Sequence, residues 1–231
     1  SLASGIRSVD TTWLMTTYNA PESYSTTGWS GRVWLKINGM YTYTTNSHVW
    51  WLAGYNQTPV KPTYPDEVRY ENENGAVVLD LRKQAYWGIL SGAAGHFFGS
   101  CPIYDFGYLA GQLCSETNWR AWRDSAGSTS MTHFGNLFNN RHFYKFVPDT
   151  DQVVMTAGQQ SGTTYATTCW TTDSTSIVAY IPTQRAVTID PASIKSDSVR
   201  VRYFNPASGA VVDSLTKVKA SFTTTPPTAV D

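Results

Sequence analysis

With 231 residues, as many lysines and arginines as aspartates and glutamates, and a charged fraction of 15%, this chain offers no electrostatic case for nucleic acid or an anionic membrane surface. The charged fraction lies below the roughly 25% of ordinary soluble proteins, and 14% of residues are aromatic, a balance associated with secreted, carbohydrate-active proteins. No apolar run approaches the ~20 residues of a membrane span, and no CxxC or Cys/His cluster suggests zinc. The chain opens at Ser1 without a methionine or a signal peptide, as expected of a mature product or an excised fragment.

Up to about Pro148, short β-like runs alternate with helical ones. Residues 13–18 and 33–38 read as strands, and the aromatic stretch 46–55 as a helix. Residues 61–72 form a β-like approach that ends in the carboxylates Asp66, Glu67 and Glu71 beside Arg69 and Tyr70. Behind it Leu81, Ala85, Ile89 and Ala93 recur at i+4, the stripe of a helix packing on a sheet, with Asp80 in the N-cap position. Residues 95–99 read as a buried strand. A last helix puts Met131, Phe134, Leu137 and Phe138 on one face. This alternation predicts parallel strands joined by helical crossovers.

After Pro148 the pattern changes to short runs separated by turn residues: 152–157, 163–171, 176–181, 186–189, 199–204, 210–213 and 217–222. Val199, Val201 and Tyr203 fall on one face and Arg200 and Arg202 on the other, the alternation of a half-buried strand. Regular strand spacing without a helical period predicts a small antiparallel β-sandwich, and residues 223–227 read as a closing loop. The expected organisation is therefore an α/β part, 1–147, followed by an all-β part, 148–231. Two readings of the cysteines stand: Cys101 and Cys114 bridge the loop they flank, or all three are buried thiols.

Carboxylates at the C-terminal end of a strand, with a helix and another strand behind them, are how a (β/α) barrel presents catalytic acids. On residue type alone Glu67 reads first as a surface-loop carboxylate. The order of segments resembles the apiosidase-like glycoside hydrolase family, whose barrel is often followed by a module named for collagen binding. The family's Gly-Glu-Pro-x-Tyr-Glu is similar to Asp66-Glu67-Val68-Arg69-Tyr70-Glu71. Its Arg-x-x-Ala-Tyr-Trp and Gly-Ala-Ala-Gly-His-x-x-Gly segments stand here as Arg82 to Trp87 and Gly92 to Gly99. The terminal module's pattern resembles Tyr180-Ile181-Pro182 through Val187-Thr188-Ile189-Asp190. There are departures: Asn19 stands where the family has His, residues 38–43 lack its Gln and His, and Val68 replaces its Pro. The family's substrate is therefore not transferred.

The resemblance implies the C-terminal half, strands five to eight, of a (β/α)8 TIM barrel followed by a small antiparallel β-sandwich. It implies a larger secreted or periplasmic protein acting on a polysaccharide or oligosaccharide, whose missing N-terminal half of the barrel is this chain's partner. Glu67 becomes the nucleophile of a retaining mechanism, its acid/base partner lying upstream. Asp66 and Glu71 are the alternative carboxylates. Tyr18, Asn19, Trp34, Arg69, His96 and Tyr104 are the expected substrate-binding residues, with Trp50 and Trp51 further stacking candidates and Trp87 expected in the core. His96 reads equally as a satisfied core residue, and Arg69 also as an ion-pair partner of Glu71 or Glu67. Neither metal nor organic cofactor is implied. The competing function is a non-catalytic polysaccharide- or collagen/matrix-binding protein.

Overall fold

The computed structural model describes residues 2–108, 111–114 and 116–227. It is a mixed α/β arrangement of several small sheets. The first part carries α1 (Leu2–Val9), β1 (Ser23–Tyr24), α2 (Ser25–Trp29), β2 (Asn38–Thr42), α3 (His48–Tyr55), β3 (Thr63–Val68), α4 (Val78–Leu90), α5 (Cys101–Tyr104) and α6 (Ala126–Phe138). The second part carries β4 (Phe146–Pro148), β5 (Met155–Ala157), β6 (Thr167–Thr171), β7 (Ile177–Tyr180), β8 (Val187–Ile189), β9 (Ser198–Phe204), β10 (Val211–Val218) and β11 (Phe222–Thr224).

In the first sheet β2 lies between β1 and β3, antiparallel to β1 and parallel to β3. Single parallel bridges extend this pairing on both sides, Met15 to Leu35 and Glu71 to Ser100. Backbone hydrogen bonds follow the same order: Lys36 N–H donates to Met15 O, Ala94 N–H to Thr63 O, and Cys101 N–H to Glu71 O. Four chain segments thus run side by side in one direction. Two of them fall short of the expected strands. Residues 13–18 contribute only the Met15 bridge, and Trp13, Leu14 and Tyr18 are exposed. Residues 95–99 form no ladder; Gly99 O accepts from Glu71 N–H at 2.9 Å, and the Tyr70 ring lies against Gly99, where a Cβ would stand 2.6 Å from a ring carbon.

Helix α4 follows the i+4 stripe and is buried from Leu81 to Leu90. Its N-cap is the extended Val77. Asp80 lies at the third helical position, with its carboxylate accepting from Val77 N–H at 3.3 Å. That placement corrects the expected cap by one turn. The core gathers Met40, Trp51, Val68, Ala85, Trp87, Phe134 and Phe138 with Cys169 and Tyr180 of the second part. Trp87 is core, as its place beside the stripe implied, and its Nε1–H donates to Tyr165 O at 2.9 Å. Tyr86 stacks on Tyr180, and His48 stacks on Tyr165. Helix α4 is therefore packed from both sides.

The second part contains two three-stranded antiparallel sheets, β4-β6-β7 and β11-β8-β5, and the hairpin β9-β10. Val154, Met155, Ala166, Val187 and Ile189 form its own core. Two expectations shift here. The runs 210–213 and 217–222 merge into the longer β10 before a short turn, and Thr223 and Thr224 are strand, paired with Thr188 and Val187. A cavity of about 590 Å³ opens between β7, β8 and the hairpin, with Tyr86, Arg141, Tyr180, Tyr203 and Phe222 in its walls. Among the described residues no carboxylate or histidine lines it.

Candidate active site

Met40 and Val68 point into the core beneath α4. Alternation along β2 therefore turns Gly39 and Tyr41 to the opposite face. The parallel register pairs Met40 with Pro65 and Tyr41 with Glu67, so Asp66 is the extra residue of a bulge. A bulge lets neighbouring side chains share a face they would otherwise alternate across. Asp66 and Glu67 both meet side chains of this second face.

The Tyr43 hydroxyl donates to Glu67 Oε1 at 2.7 Å and itself accepts from the Tyr41 hydroxyl at 2.8 Å. The Tyr41 ring packs against Tyr18 and Tyr43, with centroids 5.4 and 5.1 Å apart. Beyond Glu67, Tyr70 stands edge-on to Tyr104 at 5.6 Å and near Phe97 at 5.9 Å. Glu67 is half-buried, and its acidity is weakened by desolvation first and by the Glu73 charge second, with a hydrogen bond from Tyr70 opposing both. Burial also pushes the Tyr70 phenol up to about 12, so it stays a donor at neutral pH.

Asp66 lies over Gly39, where a Cβ would come within 2.1 Å of its Oδ2. Only glycine permits that approach. Asn19 Nδ2–H donates to Asp66 Oδ2 at 3.4 Å, and burial raises the Asp66 carboxyl to about 6 against that bond.

The residues named from sequence divide into two groups. Tyr18, Asn19 and Tyr104 reach the tyrosine and carboxylate face through Tyr41, Asp66 and Tyr70. Trp34 precedes β2, at the end of the sheet away from Glu67, and packs against Trp29. Arg69 pairs with Asp80 of α4 at 3.6 Å rather than with Glu71 or Glu67. His96 sets its ring edge-on to Phe134 of α6; both ring nitrogens are sealed from solvent and unpaired, and burial lowers its pKa to about 3. Trp51 is buried against Gly88, and Trp50 packs on Tyr24.

Glu71 is buried and accepts from Ser125 Oγ and, at 2.8 Å, from Gly127 N–H. It therefore caps α6 and is spoken for. Sequence reading missed Tyr41 and Tyr43, although their i, i+2 spacing at the end of a strand places both rings on one face. It also missed Glu22, whose carboxylate accepts from Thr42 Oγ1 at 2.6 Å and Tyr43 N–H at 2.8 Å and so holds the end of β2. Among the described residues no group of His, Cys, Asp and Glu is arranged to hold a metal ion.

A half-buried carboxylate with phenol donors, at the end of a parallel strand and walled by aromatic rings, is the kind of site a glycoside hydrolase uses. The chain belongs to the apiosidase-like family: the family's catalytic-domain profile matches residues 1–145. A second profile, described as "Putative collagen-binding domain of a collagenase", matches residues 147–231. Among solved structures, a glycoside hydrolase family 5 protein from Bacteroides vulgatus superposes with a TM-score of 0.87 at 21% identity. That match covers 99% of this chain and 56% of the other. A second structure, described only as a glycoside hydrolase, gives a TM-score of 0.87 at 18% identity, covering 98% of this chain and 57% of that one. The chain thus spans a little over half the length of these structures. No curated protein matches its sequence.

Proposed function

We propose that this chain is the C-terminal portion of a secreted glycoside hydrolase that cleaves glycosidic bonds in plant polysaccharides, with Glu67 as the nucleophile of a retaining mechanism. The observation that carries this reading is the placement of Glu67 on the face turned away from α4, accepting from Tyr43 within a wall of tyrosines. Family membership and the two structural likenesses support the reaction class.

Retaining hydrolysis needs two carboxyl groups about 5–5.5 Å apart across the bond to be broken. On this reading the second comes from the end of a fourth strand encoded upstream, and the four parallel segments are strands five to eight of a barrel. Two features support that: among the described residues Met15 pairs on one side only, and α1 buries none of its residues. An open sheet edge is a row of unsatisfied donors and acceptors that invites a partner. Without general acid assistance the rate falls by about 10²–10⁴, so the chain alone is inactive on unactivated glycosides.

Residues 148–231 are proposed as a sandwich that buttresses α4, a role supported by the Trp87–Tyr165 and Tyr86–Tyr180 contacts. Secretion is supported by the disulfide joining Cys101 and Cys114, since such bonds persist in oxidising compartments. The test uses the full-length protein on branched plant pectins and on activated aryl glycosides. Glu67→Gln is expected to abolish turnover, and a 2-deoxy-2-fluoro glycoside to label Glu67 covalently in the native protein. Unchanged hydrolysis by Glu67→Gln removes Glu67 from the mechanism.

A further inference from the structure

We infer that Asp66, oriented by Asn19, recognises a hydroxyl group of the sugar bound at Glu67 and so sets which sugar the site accepts. The inference rests on the glycoside hydrolase reading above. It starts from a carboxylate with unused bonding capacity. An ionised carboxylate offers about four acceptor positions, and Asp66 receives one long bond, from Asn19 at 3.4 Å. Among the described residues it forms no ion pair. A half-buried anion without a cation is unfavourable, yet the sequence provides a place for it: Gly39 removes the side chain that would fill its position.

The surroundings of Asp66 are fixed. The two Asn19 Nδ2 hydrogens are shared among Asp66, Thr17 O at 2.9 Å and Ser25 Oγ at 3.1 Å, while Asn19 Oδ1 accepts from Thr17 Oγ1 at 3.0 Å. Its amide therefore cannot turn away from the carboxylate without losing several bonds. Gly39 N–H in turn donates to Ser25 Oγ at 3.0 Å and Thr16 Oγ1 at 3.2 Å, so the local backbone is already satisfied. What remains for Asp66 is a donor from outside the protein. Apart from the carboxylates Glu67 and Glu73, the groups that meet this face are phenols, hydroxyls and an amide, with no cation among them, the surroundings of a neutral polyhydroxylated ligand. A site built around a hydrogen bond to a hydroxyl rejects the analogue lacking it strongly, because the buried acceptor is left unpaired.

The experiment takes the full-length protein and a panel of p-nitrophenyl pentosides and hexosides, each beside its singly deoxygenated counterparts. The native protein is expected to reject one deoxy analogue of its preferred sugar by about 100-fold or more in kcat/KM. Asp66→Ala and Asp66→Asn are expected to reduce that ratio to within a few-fold, chiefly through a higher KM on the parent sugar. Both should still be labelled at Glu67 by the fluoro glycoside. Melting curves establish that the variants fold. A discrimination ratio unchanged in both variants overturns the inference, as does an equal fall of kcat on every analogue. Hydrolysis retained by Glu67→Gln, or absent from native protein on the whole panel, instead sinks the proposed function.

Discussion

The Tyr43 hydroxyl donates to Glu67 Oε1 at 2.7 Å, and Tyr41 donates to Tyr43 in turn. This relay aims proton density at a carboxylate whose acidity is weakened by burial and by Glu73. A nucleophile must be ionised, and a hydrogen bond donated to the charged form favours it. Removing the donor should therefore raise the Glu67 pKa further. Tyr43→Phe is expected to move the acid limb of the kcat/KM profile upward in pH, with the loss of rate confined to the acid side. The check is a pH–rate profile on an activated aryl glycoside. An acid limb that stays in place would separate Tyr43 from the ionisation of Glu67.

A second close approach in the carboxylate segment is between Glu71 and Gly127. A Cβ on Gly127 would stand 2.6 Å from Glu71 Cδ. Glu71 is 3% exposed, and its bonds from Gly127 N–H and Ser125 Oγ neutralise the start of α6. Gly127→Ala gains helix propensity but must displace a buried, bonded carboxylate. Overpacking of that kind costs about 1–3 kcal/mol, more than the ~1 kcal/mol that alanine contributes in a helix. The expected result is a net loss of stability in urea unfolding. A stabilised Gly127→Ala protein would show that Glu71 moves freely and is no cap.

How much of this was legible in the sequence depends on how local each signal is. Helix α4 was readable because an i+4 apolar stripe is carried by the residues themselves, and the family motif singled out Glu67. Arg69 was harder to place: its acidic neighbours in the chain, Glu67 and Glu71, are taken by Tyr43 and by α6, leaving Asp80 one helix away. His96 reads equally as a site residue, from its place at a strand end of the implied barrel, and as a core residue. In the fold its glycine-rich setting lets aromatic rings close over the backbone, and His96 meets Phe134. The bulge at Asp66 has no sequence signature at all. It follows from a register shift between two strands, a pairing relation that neither segment contains alone.

Two histidines sealed in the fold give the protein an acid-sensitive stability. Burial lowers His96 to about 3 and His48 to about 4, both below the ~6.5 of an unfolded histidine. The unfolded chain then binds more protons between those values, so this contribution is complete above pH 6.5 and is lost as pH falls toward 4 and 3. For His96, whose ring nitrogens are sealed although the residue is partly exposed, the effect is on the order of 3 kcal/mol. His96→Phe is expected to flatten the decline of the melting temperature between pH 6.5 and 4. Native-like slopes in that variant would mean that the ring takes up protons without leaving its place beside Phe134.

Asp66 acts in the opposite direction, which allows the two effects to be separated. Its carboxyl is raised to about 6 by burial, above the ~3.9 of an unfolded aspartate. The folded protein therefore binds more protons between about pH 4 and 6, and stability declines as pH rises through that window. Asp66→Asn removes the buried charge while keeping the shape above Gly39. Solvent reaching this half-buried group screens the penalty, so the variant should be more stable than native by only about 1 kcal/mol at pH 7.5. At pH 3, where the native carboxyl is protonated in both states, the two proteins should unfold at the same urea concentration. A gain in stability at neutral pH, paired with weaker sugar discrimination, is what a residue kept for recognition at a cost to the fold produces. Equal midpoints at pH 7.5 would show that Asp66 carries no unfavourable charge, and the argument from its unpaired burial would fail with them.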